Sequence, residues 1–560
     1  MIKYILKNKL VLTFFLLSIP MSVLFSIKFA LSFQPIIDAA ANKNSSLLIS
    51  SALWCGAYAI LNCAFLLIIK ILKENILRNC SILLKSDLFN NIINRNMENF
   101  NSENSSNYIS LLNNDVKIII NDYFENILEL YNIVISFIFS IITVCLVNYI
   151  VTIILIVIAI CSVLIPKCFE NSLAKLQDNY STSMKRYLSQ IKDFFEGFQL
   201  IKSFNLQQKV ITSHKKYNLN AENLRCKTNK KIYFTGWIPM FFSSIMYVIT
   251  FILGGYLIII GSISIGYVVS LSQLIGGVVA PIEQLPSILA SINSTSKVKT
   301  KLQKILTVHK INNNSEITNL NISDISFENV SFSYKNSNTK ALNDNNINFE
   351  ANKNYAIVGE SGSGKSTIAK LILQFYKCNE GTVNYNNYST ISLESLYHSI
   401  SYIHQYTFLF DDTLKNNITL YKNYTDTEIE NAIKLSGLSK LIEKLPDGIE
   451  SKIGENGSIL SGGERQRISI ARALISRSHF LILDEAVSSL DNITAKNIMD
   501  NIFELNNITL IIITHRLDFN VLNKCDYIYV MKDGYVSEKG TFNSLINKHD
   551  YFFNLYNLNA

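Results

Sequence analysis

Tyr355-Ala356-Ile357-Val358-Gly359-Glu360-Ser361-Gly362-Ser363-Gly364-Lys365-Ser366-Thr367 is the stretch on which the reading of this chain turns. Its first four residues form a short apolar run of strand type, and Ile368 to Phe375 after it reads as a helix. Between the two stands the pattern GxxxxGK[ST]. Glycines let the backbone wrap closely round phosphates because no Cβ is in the way, and successive N–H groups with the helix N-terminus supply positive potential. Lys365 is placed to reach the β- and γ-phosphates and Ser366 to ligate Mg2+. The segment predicts an ATP cradle made by Gly359, Glu360, Ser361, Gly362, Ser363, Gly364, Lys365, Ser366 and Thr367, with Mg2+ beside it.

Working outward, Phe480-Leu481-Ile482-Leu483 is a second buried-strand run and ends in Asp484-Glu485. A carboxylate at the end of a parallel strand beside such a loop can hold the Mg2+ shell, and the next one can orient or deprotonate the attacking water. Without the loop, two solvated acids at a strand end would be the better reading. Leu510 to Thr514 is a third strand, and His515 follows it as a candidate γ-phosphate sensor. Leu460-Ser461-Gly462-Gly463-Glu464-Arg465-Gln466 precedes a helix running through Ile475. Ser461 is a good N-cap and the glycines permit a second close phosphate approach. One nucleotide does not need two cradles from one subunit, whereas two subunits facing head to tail would use both.

The other half of the chain has a different composition. In 560 residues, 49% are hydrophobic and 17% charged, against a typical ~25% charged; mean hydropathy is +0.21. This excludes disorder, collagen and disulfide mini-proteins. Nine cysteines without a CxxC pair read as small buried hydrophobes rather than a zinc site. Charge-free runs occur at Leu10–Ile27, Leu47–Ile69, Leu130–Pro166 and Ile232–Ile282. The 37 residues from Leu130 to Pro166 would make one helix of about 55 Å, too long for a hydrocarbon core of about 30 Å. The run must fold back, at Asn148-Tyr149; the last run breaks at Gly261-Ser262-Ile263-Ser264. Six spans follow, near residues 10–30, 47–70, 128–147, 149–166, 236–260 and 263–290, and helices rather than a barrel make them.

Net charge is +8, which invites a nucleic-acid reading. The segment Lys167–Thr235 alone carries 13 Lys/Arg and five Asp/Glu. The surplus is therefore mainly a positive-inside signal, not a nucleic-acid surface, and places both termini in the cytosol. The inner loops, roughly 71–126 and 167–232, exceed a bundle connection of about two to eight residues, so the spans are expected to continue as helices past the membrane.

These motifs together resemble the ATP-binding cassette (ABC) transporters, specifically exporter-type half-transporters with six spans fused to one nucleotide-binding domain. The likeness covers nearly the whole chain. Leu460 to Gln466 is similar to the family signature, Gln405 in Ile403-His404-Gln405 to the Q-loop, Ser488-Ser489-Leu490-Asp491 to the D-loop, and Glu455 to the exporter loop before the signature. Tyr334 in Phe332-Ser333-Tyr334 resembles the aromatic that stacks on adenine. Glu196 to Phe204 resembles the second intracellular loop and Asn113 to Val116 the first coupling region; a short coupling helix is expected near Ser203 to Gln208. Glu464 stands where many members have Gln, and Val487 where many have Thr.

The resemblance implies a membrane α-helical six-span bundle with long cytosolic helical extensions, then an α/β P-loop ATPase domain. Residues 1–310 are assigned to the transmembrane domain, 311–322 to a linker and 323–560 to the ATPase. The catalytic set is Glu485, His515 and Gln405. The nucleotide set is Tyr334, the loop Gly359 to Thr367, Ser461, Gly462, Gly463, Glu464 and Asp491. The metal set is Ser366, Gln405 and Asp484. The expected activity is ATP-driven export of an amphipathic substrate (peptide, drug or lipid) by a dimer with a second half-transporter, homo- or heterodimeric, in the plasma membrane of a bacterium. An importer on the same fold and a non-transporting membrane ATPase are the alternatives. Glu283 inside the sixth apolar stretch marks either a pathway or a helix pairing, and Asn62, Asn132 and Gln273 either line a cavity or join helices.

Overall fold

The computed structural model describes residues 1–307, 322–335, 337 and 339–559, so the linker assigned to 311–322 lies outside the described residues except for Ile322. Two compact units result. One comprises Met1–Arg95 with Glu103–Val308, the other Asn96–Ser102 with His309–Ala560.

The first unit holds six helices long and apolar enough to cross a membrane. Their spanning parts are α1 (Lys9–Leu31), α2 (Ser45–Ile93), α3 (Asn126–Val147), α4 (Tyr149–Lys167), α5 (Gln207–Ile259) and α6 (Ile265–Ser294). α2 has 49 residues and α5 has 53, lengths of about 75–80 Å at ~1.5 Å per residue, so both run far beyond a bilayer. The breaks fall where polar caps stop one helix and start the next. Asn148 turns extended, and its side-chain oxygen accepts from Ile150 N (3.0 Å) and Val151 N (3.2 Å). Ser264 caps α6 after a left-handed Gly261. The short helix of the second inner loop is Phe198–Ser203 rather than Ser203 to Gln208. Gly197 ends the helix before it, Asn205 in the left-handed region closes it, and Gln207 already opens α5.

Lipid offers no hydrophobic drive between helices, so small and polar residues join them. The Ser22 hydroxyl donates to Asn62 Oδ1 (3.2 Å), tying α1 to α2, and the Tyr131 hydroxyl donates to the Leu16 carbonyl (3.2 Å), tying α3 to α1. Gly277 of α6 sits against Ser140 of α3, where a Cβ would overlap the Ser140 hydroxyl. Lys73 meets Glu125 (3.1 Å) and Glu129 (3.4 Å). Asn132 donates to Glu129 at 3.0 Å. Asn62 and Asn132 therefore make side-chain bonds inside the helix bundle, whereas Gln273 is exposed.

The second unit is α/β. β1 (Asp324–Phe332), β2 (Leu342–Glu350) and β4 (Glu380–Tyr385) form an antiparallel sheet in the order β2-β1-β4, while β3 (Asn354–Gly359), β5 (Ile400–Ile403), β6 (Phe480–Asp484), β7 (Thr509–Thr514), β8 (Tyr527–Lys532) and β9 (Tyr535–Gly540) form a sheet ordered β5-β6-β7-β3-β8-β9. All its neighbours pair parallel except β8 with β9. The central strands are buried on both faces, which is why they read as unbroken Ile/Leu/Val runs; every residue of β6 is buried. Each such side chain contributes about 1.5–3 kcal/mol by leaving water. A separate helical core gathers Leu409, Ile418, Leu438 and Ile468. The short helix Met97–Asn101 groups with this unit, and Asn101 Nδ2 donates to Tyr376 (3.2 Å).

Candidate functional site

β6, β7 and β3 lie side by side and parallel, so the residues after each emerge at one edge of the sheet. β3 delivers the glycine-rich loop, β6 delivers Asp484 and Glu485, and β7 delivers His515. The loop is built for glycine. At Gly359 a Cβ would stand 2.3 Å from the Met531 carbonyl, and at Gly364, with φ +102°, 2.5 Å from that of Ala341. The Ser363 hydroxyl is buried in the loop without a partner, a polar atom in want of a ligand. Lys365 donates to the carbonyls of Gly359 (2.8 Å) and Glu360 (2.7 Å). Burial pulls its pKa below the usual lysine value, against the opposing fields of Glu485, Asp484 and Glu360. These features fit a polyphosphate.

Ser366 opens the helix after the loop and donates to Asp484 Oδ1 (2.9 Å). A hydroxyl and a carboxylate in contact are hard oxygen donors of the kind Mg2+ takes. Tyr402 donates to the other oxygen, Oδ2 (2.7 Å), and its own pKa is driven up by burial and then by Asp484.

Glu485 is gripped from two sides. Gln405 Nε2 donates to Oε2 (2.7 Å), and His515 Nδ1 lies 2.9 Å from Oε1. The three residues assigned as catalytic thus meet at one carboxylate. No hydrogen bond joins Gln405 to Ser366 or Asp484 among the described residues, so its second assignment, as a metal ligand, has no contact in this arrangement. Glu485 has φ +51°, a left-handed conformation that costs a non-glycine residue about 1–2 kcal/mol. Its N–H donates to the Ile513 carbonyl (3.0 Å) and its carbonyl accepts from Gln466 Nε2 (3.0 Å).

Tyr334 sits beside the loop helix with its hydroxyl 3.1 Å from Thr367 Oγ1. Its ring meets Phe332 (4.9 Å) and Tyr376 (5.3 Å) edge-on.

The second cradle stands at the N-terminus of α7 (Gly462–Ile475). Ser461 and Glu464 form a reciprocal cap. Ser461 N and Oγ both donate to Glu464 Oε2 (2.8 Å each), and Glu464 N donates to Ser461 Oγ (3.3 Å). Burial raises the Glu464 pKa, but the Ser461 donors outweigh it and the net shift is downward. The glutamate in place of the family's glutamine keeps the cap as an acceptor. Gly462 has open space where a Cβ would stand, and Gly463 packs against Leu490 and Ser489. Asp491 caps the helix Asn492–Phe503 through Thr494 N (2.9 Å). No hydrogen bond connects Ser461, Glu464 or Asp491 to the loop Gly359 to Thr367 within the protomer, among the described residues.

Three residues with structural claims on the site have no role assigned from sequence. Gln466 is 3% exposed; it also accepts from Ser489 N (3.1 Å) and from the Ser489 hydroxyl. Tyr402 carries no local signal, since only the parallel pairing of β5 with β6 brings it to Asp484. Tyr551 donates to Glu360 Oε1 (3.1 Å) from the C-terminal helix, and burial with Glu360 raises its pKa to about 12.

Residues 11–282 match the family described as the ABC transporter transmembrane region, and residues 342–488 that described as ABC transporter. An export ATP-binding/permease protein of Rickettsia conorii is 31% identical over 487 residues, 84% of this chain and 83% of its own. The chain belongs to the ABC transporters. An ATP-dependent lipid A-core flippase of Colwellia psychrerythraea is 32% identical over 402 residues, 68% of this transporter and 66% of that protein. The solved structure of a bacterial Atm1-family ABC exporter with ATP bound superposes with a TM-score of 0.84, covering 98% of both chains at 19% identity, and so shares the fold. This transporter is therefore an exporter-type half-transporter, a six-span membrane domain fused to one nucleotide-binding, ATP-hydrolysing domain, and it works as a dimer in the membrane. The relatives carry the names export ATP-binding/permease protein and lipid A-core flippase, which favours the exporter reading over the importer alternative.

Proposed function

We propose that two copies of this half-transporter, or one copy and a related partner, clasp two ATP molecules head to tail, and that hydrolysis drives outward movement of an amphipathic substrate. The observation that carries the reading is the convergence of Gln405 and His515 on Glu485, at the sheet edge that also holds Lys365, Ser366 and Asp484. The split between two cradles supports the dimer, because Ser461 and Gly462 are exposed and no hydrogen bond joins Ser461 to its own loop among the described residues. Lipids rank high among amphipathic substrates since relatives carry the name flippase.

In this reading Lys365 and the loop amides hold the phosphates of ATP. Ser366 and Asp484 would hold Mg2+, which when bound supplies charge neutralisation at the phosphates. Glu485 accepts a proton from the attacking water, His515 and Gln405 fix its two oxygens, and Tyr334 stacks on the base. Ser461 and Gly463 complete the shell from the other subunit. ATP therefore binds the closed dimer better than the open one. Moving such an equilibrium from 1:99 to 99:1 takes about 5.5 kcal/mol of preference, and hydrolysis removes it. The long extensions of α2 and α5 carry the motion to the spans, with Met97–Asn101 and Phe198–Ser203 as coupling helices. Both termini and the ATPase face the cytosol in the plasma membrane of a bacterium. The domain limits 1–310 and 323–560 belong to the same proposal.

The test is uptake by inside-out vesicles. ATP-dependent accumulation of an amphiphile, abolished in Glu485→Gln while nucleotide binding persists, is the expected result. Movement in the opposite direction, or substrate-stimulated hydrolysis with no flux, would refute export.

A further inference from the structure

α6 has two unlike faces. One is packed into the bundle through Leu271, Leu274, Ile275, Val278, Ile282 and Ile288. The other, at ~100° per residue, presents Gln273, Ala280, Glu283, Gln284, Ser287 and Ala290, all exposed. Other spans expose what lipid favours. α4, for example, leaves Ile153, Val157, Ile160 and Leu164 open by 52–58%. On α6 only Ile265 and Leu289 among the large apolar side chains are exposed. The polar residues of this stripe run from Gln273 to Ser287, about 21 Å at ~1.5 Å per residue, or some two thirds of a ~30 Å hydrocarbon core. Such a face in a membrane borders water, because hydrocarbon cannot satisfy its amides and carboxylate.

Two carboxylates lie within the six spans assigned from sequence. Glu129 is neutralised by Lys73 and receives Asn132. Glu283 has neither a cation nor a hydrogen-bond donor among the described residues. No Lys or Arg occurs between Ile232 and Ile282, nor from Glu283 to Thr295. A symmetric second copy would bring another Glu283 rather than a counter-ion from this helix.

We propose that this face of α6 lines the water-filled translocation path and that Glu283 selects cargo bearing a positive charge: an amphiphile with an amine, guanidinium or other organic cation, in preference to one with an acidic phosphate. The inference rests on the transporter reading above and narrows it, because an anionic lipid would meet the uncompensated carboxylate unfavourably.

The probes are tetraphenylphosphonium and tetraphenylborate, hydrophobic ions of like shape and opposite charge. Equilibrium binding to the full chain in nanodiscs is measured without ATP, after subtracting empty nanodiscs. Wild type should bind the cation more tightly than the anion. Glu283→Gln should weaken cation binding about tenfold, the equivalent of ~1.4 kcal/mol. Glu283→Asp should retain the preference and Glu283→Lys should reverse it, which a misfolded variant cannot do. Equal cation affinity in wild type and Glu283→Gln overturns the inference, as does tighter binding of the anion, or no binding of either ion above background. Loss of ATP-driven uptake with the charge preference intact would count against export and leave the role of Glu283 standing.

Discussion

Gln466→Leu should cripple hydrolysis without weakening ATP binding. The Gln466 amide donates to the Glu485 carbonyl (3.0 Å) and accepts from Ser489 N (3.1 Å). Glu485 is strained at φ +51°, by about 1–2 kcal/mol. Three hydrogen bonds hold it there: its N–H donates to the Ile513 carbonyl, and its carbonyl accepts from Gln466 Nε2 and from Ser488 N (3.1 Å). Removing the Gln466 bond lets the backbone relax toward an ordinary conformation, which swings the carboxylate away from Gln405 and His515. If relaxation wins by ~1.4 kcal/mol, one molecule in about ten keeps the working geometry, so kcat falls about tenfold. The lost bonds also cost about 1–3 kcal/mol of local stability, while the Glu485 carbonyl keeps its bond from Ser488 N. The loop Gly359 to Thr367 makes no hydrogen bond to Gln466, so KM for ATP should stay within about twofold. Phosphate release by the reconstituted protein, with fluorescent-nucleotide binding alongside, separates the two. Gln466→Glu sharpens the test, because its carboxylate still accepts from Ser489 but offers no donor to Glu485; it should share the kcat defect. A Leu variant with kcat within about twofold of wild type, or with KM rising in step as kcat falls, would refute the argument.

Tyr402→Phe removes the donor to Asp484 Oδ2 and should raise the half-saturating Mg2+ for ATPase activity by about tenfold, as loss of an outer hydrogen bond to a metal-binding carboxylate does elsewhere; a Mg2+ titration reads this. Asp38 accepts from Ser264 Oγ (2.7 Å) and Gly266 N (3.1 Å) at the start of α6. Asp38→Ala should therefore speed hydrogen exchange at the Gly266 amide about tenfold, for a loss of ~1–2 kcal/mol. The capping acids Glu464, Glu428, Asp412 and Asp491 all have pKa values held below the ordinary range by the donors at their caps and turns. A depressed folded pKa means the stabilisation is complete above the unfolded value of about 4 and lost as pH falls through the folded value. The melting midpoint should drop between about pH 4.5 and 3, and Glu464→Gln should shallow that drop while changing little at pH 7.

The sequence carries those parts of the site that lie within one local segment. Gly359 to Thr367 is legible because glycine spacing and a strand-helix junction are local properties, and Asp484-Glu485 because a fully buried parallel strand must read as an apolar run. The helix breaks at Asn148 and Ser264 are legible for the same reason, each being a side-chain cap on its own following turn. What stays hidden depends on pairing between distant segments. Tyr402 reaches Asp484 only through the β5-β6 register, with Tyr402 opposite Ile482. The left-handed Glu485 leaves no trace in residue type, since glutamate is a poor choice for that conformation. The coupling helix lies at Phe198–Ser203, ahead of the Ser203 to Gln208 expected from the resemblance, because the left-handed Asn205 sets where it ends.

The hidden contacts matter to how the ATPase could be controlled. Besides Ser488 N in its own turn, four groups fix Glu485, and they come from different elements: Gln405 after β5, His515 and the Ile513 carbonyl from β7, and Gln466 from α7. The first three belong to the sheet and its edge. α7 packs Ile470 and Ala473 against the sheet, but its Ile468, Ala471 and Ile475 belong to the helical core with Leu409 and Ile418, to which Arg472 ties it by donating to the Phe408 carbonyl (2.7 Å) and Asn417 Oδ1 (2.8 Å). A shift of that helical core against the sheet must stretch the Gln466–Glu485 bond before it disturbs any contact of the phosphate loop. The strained backbone of Glu485 then has somewhere to relax, so the proposed base loses its aim while nucleotide stays held. Helical-core position and hydrolysis are coupled through one buried amide, and a double-mutant cycle between Arg472→Met and Gln466→Leu should show it as kcat effects that fail to add.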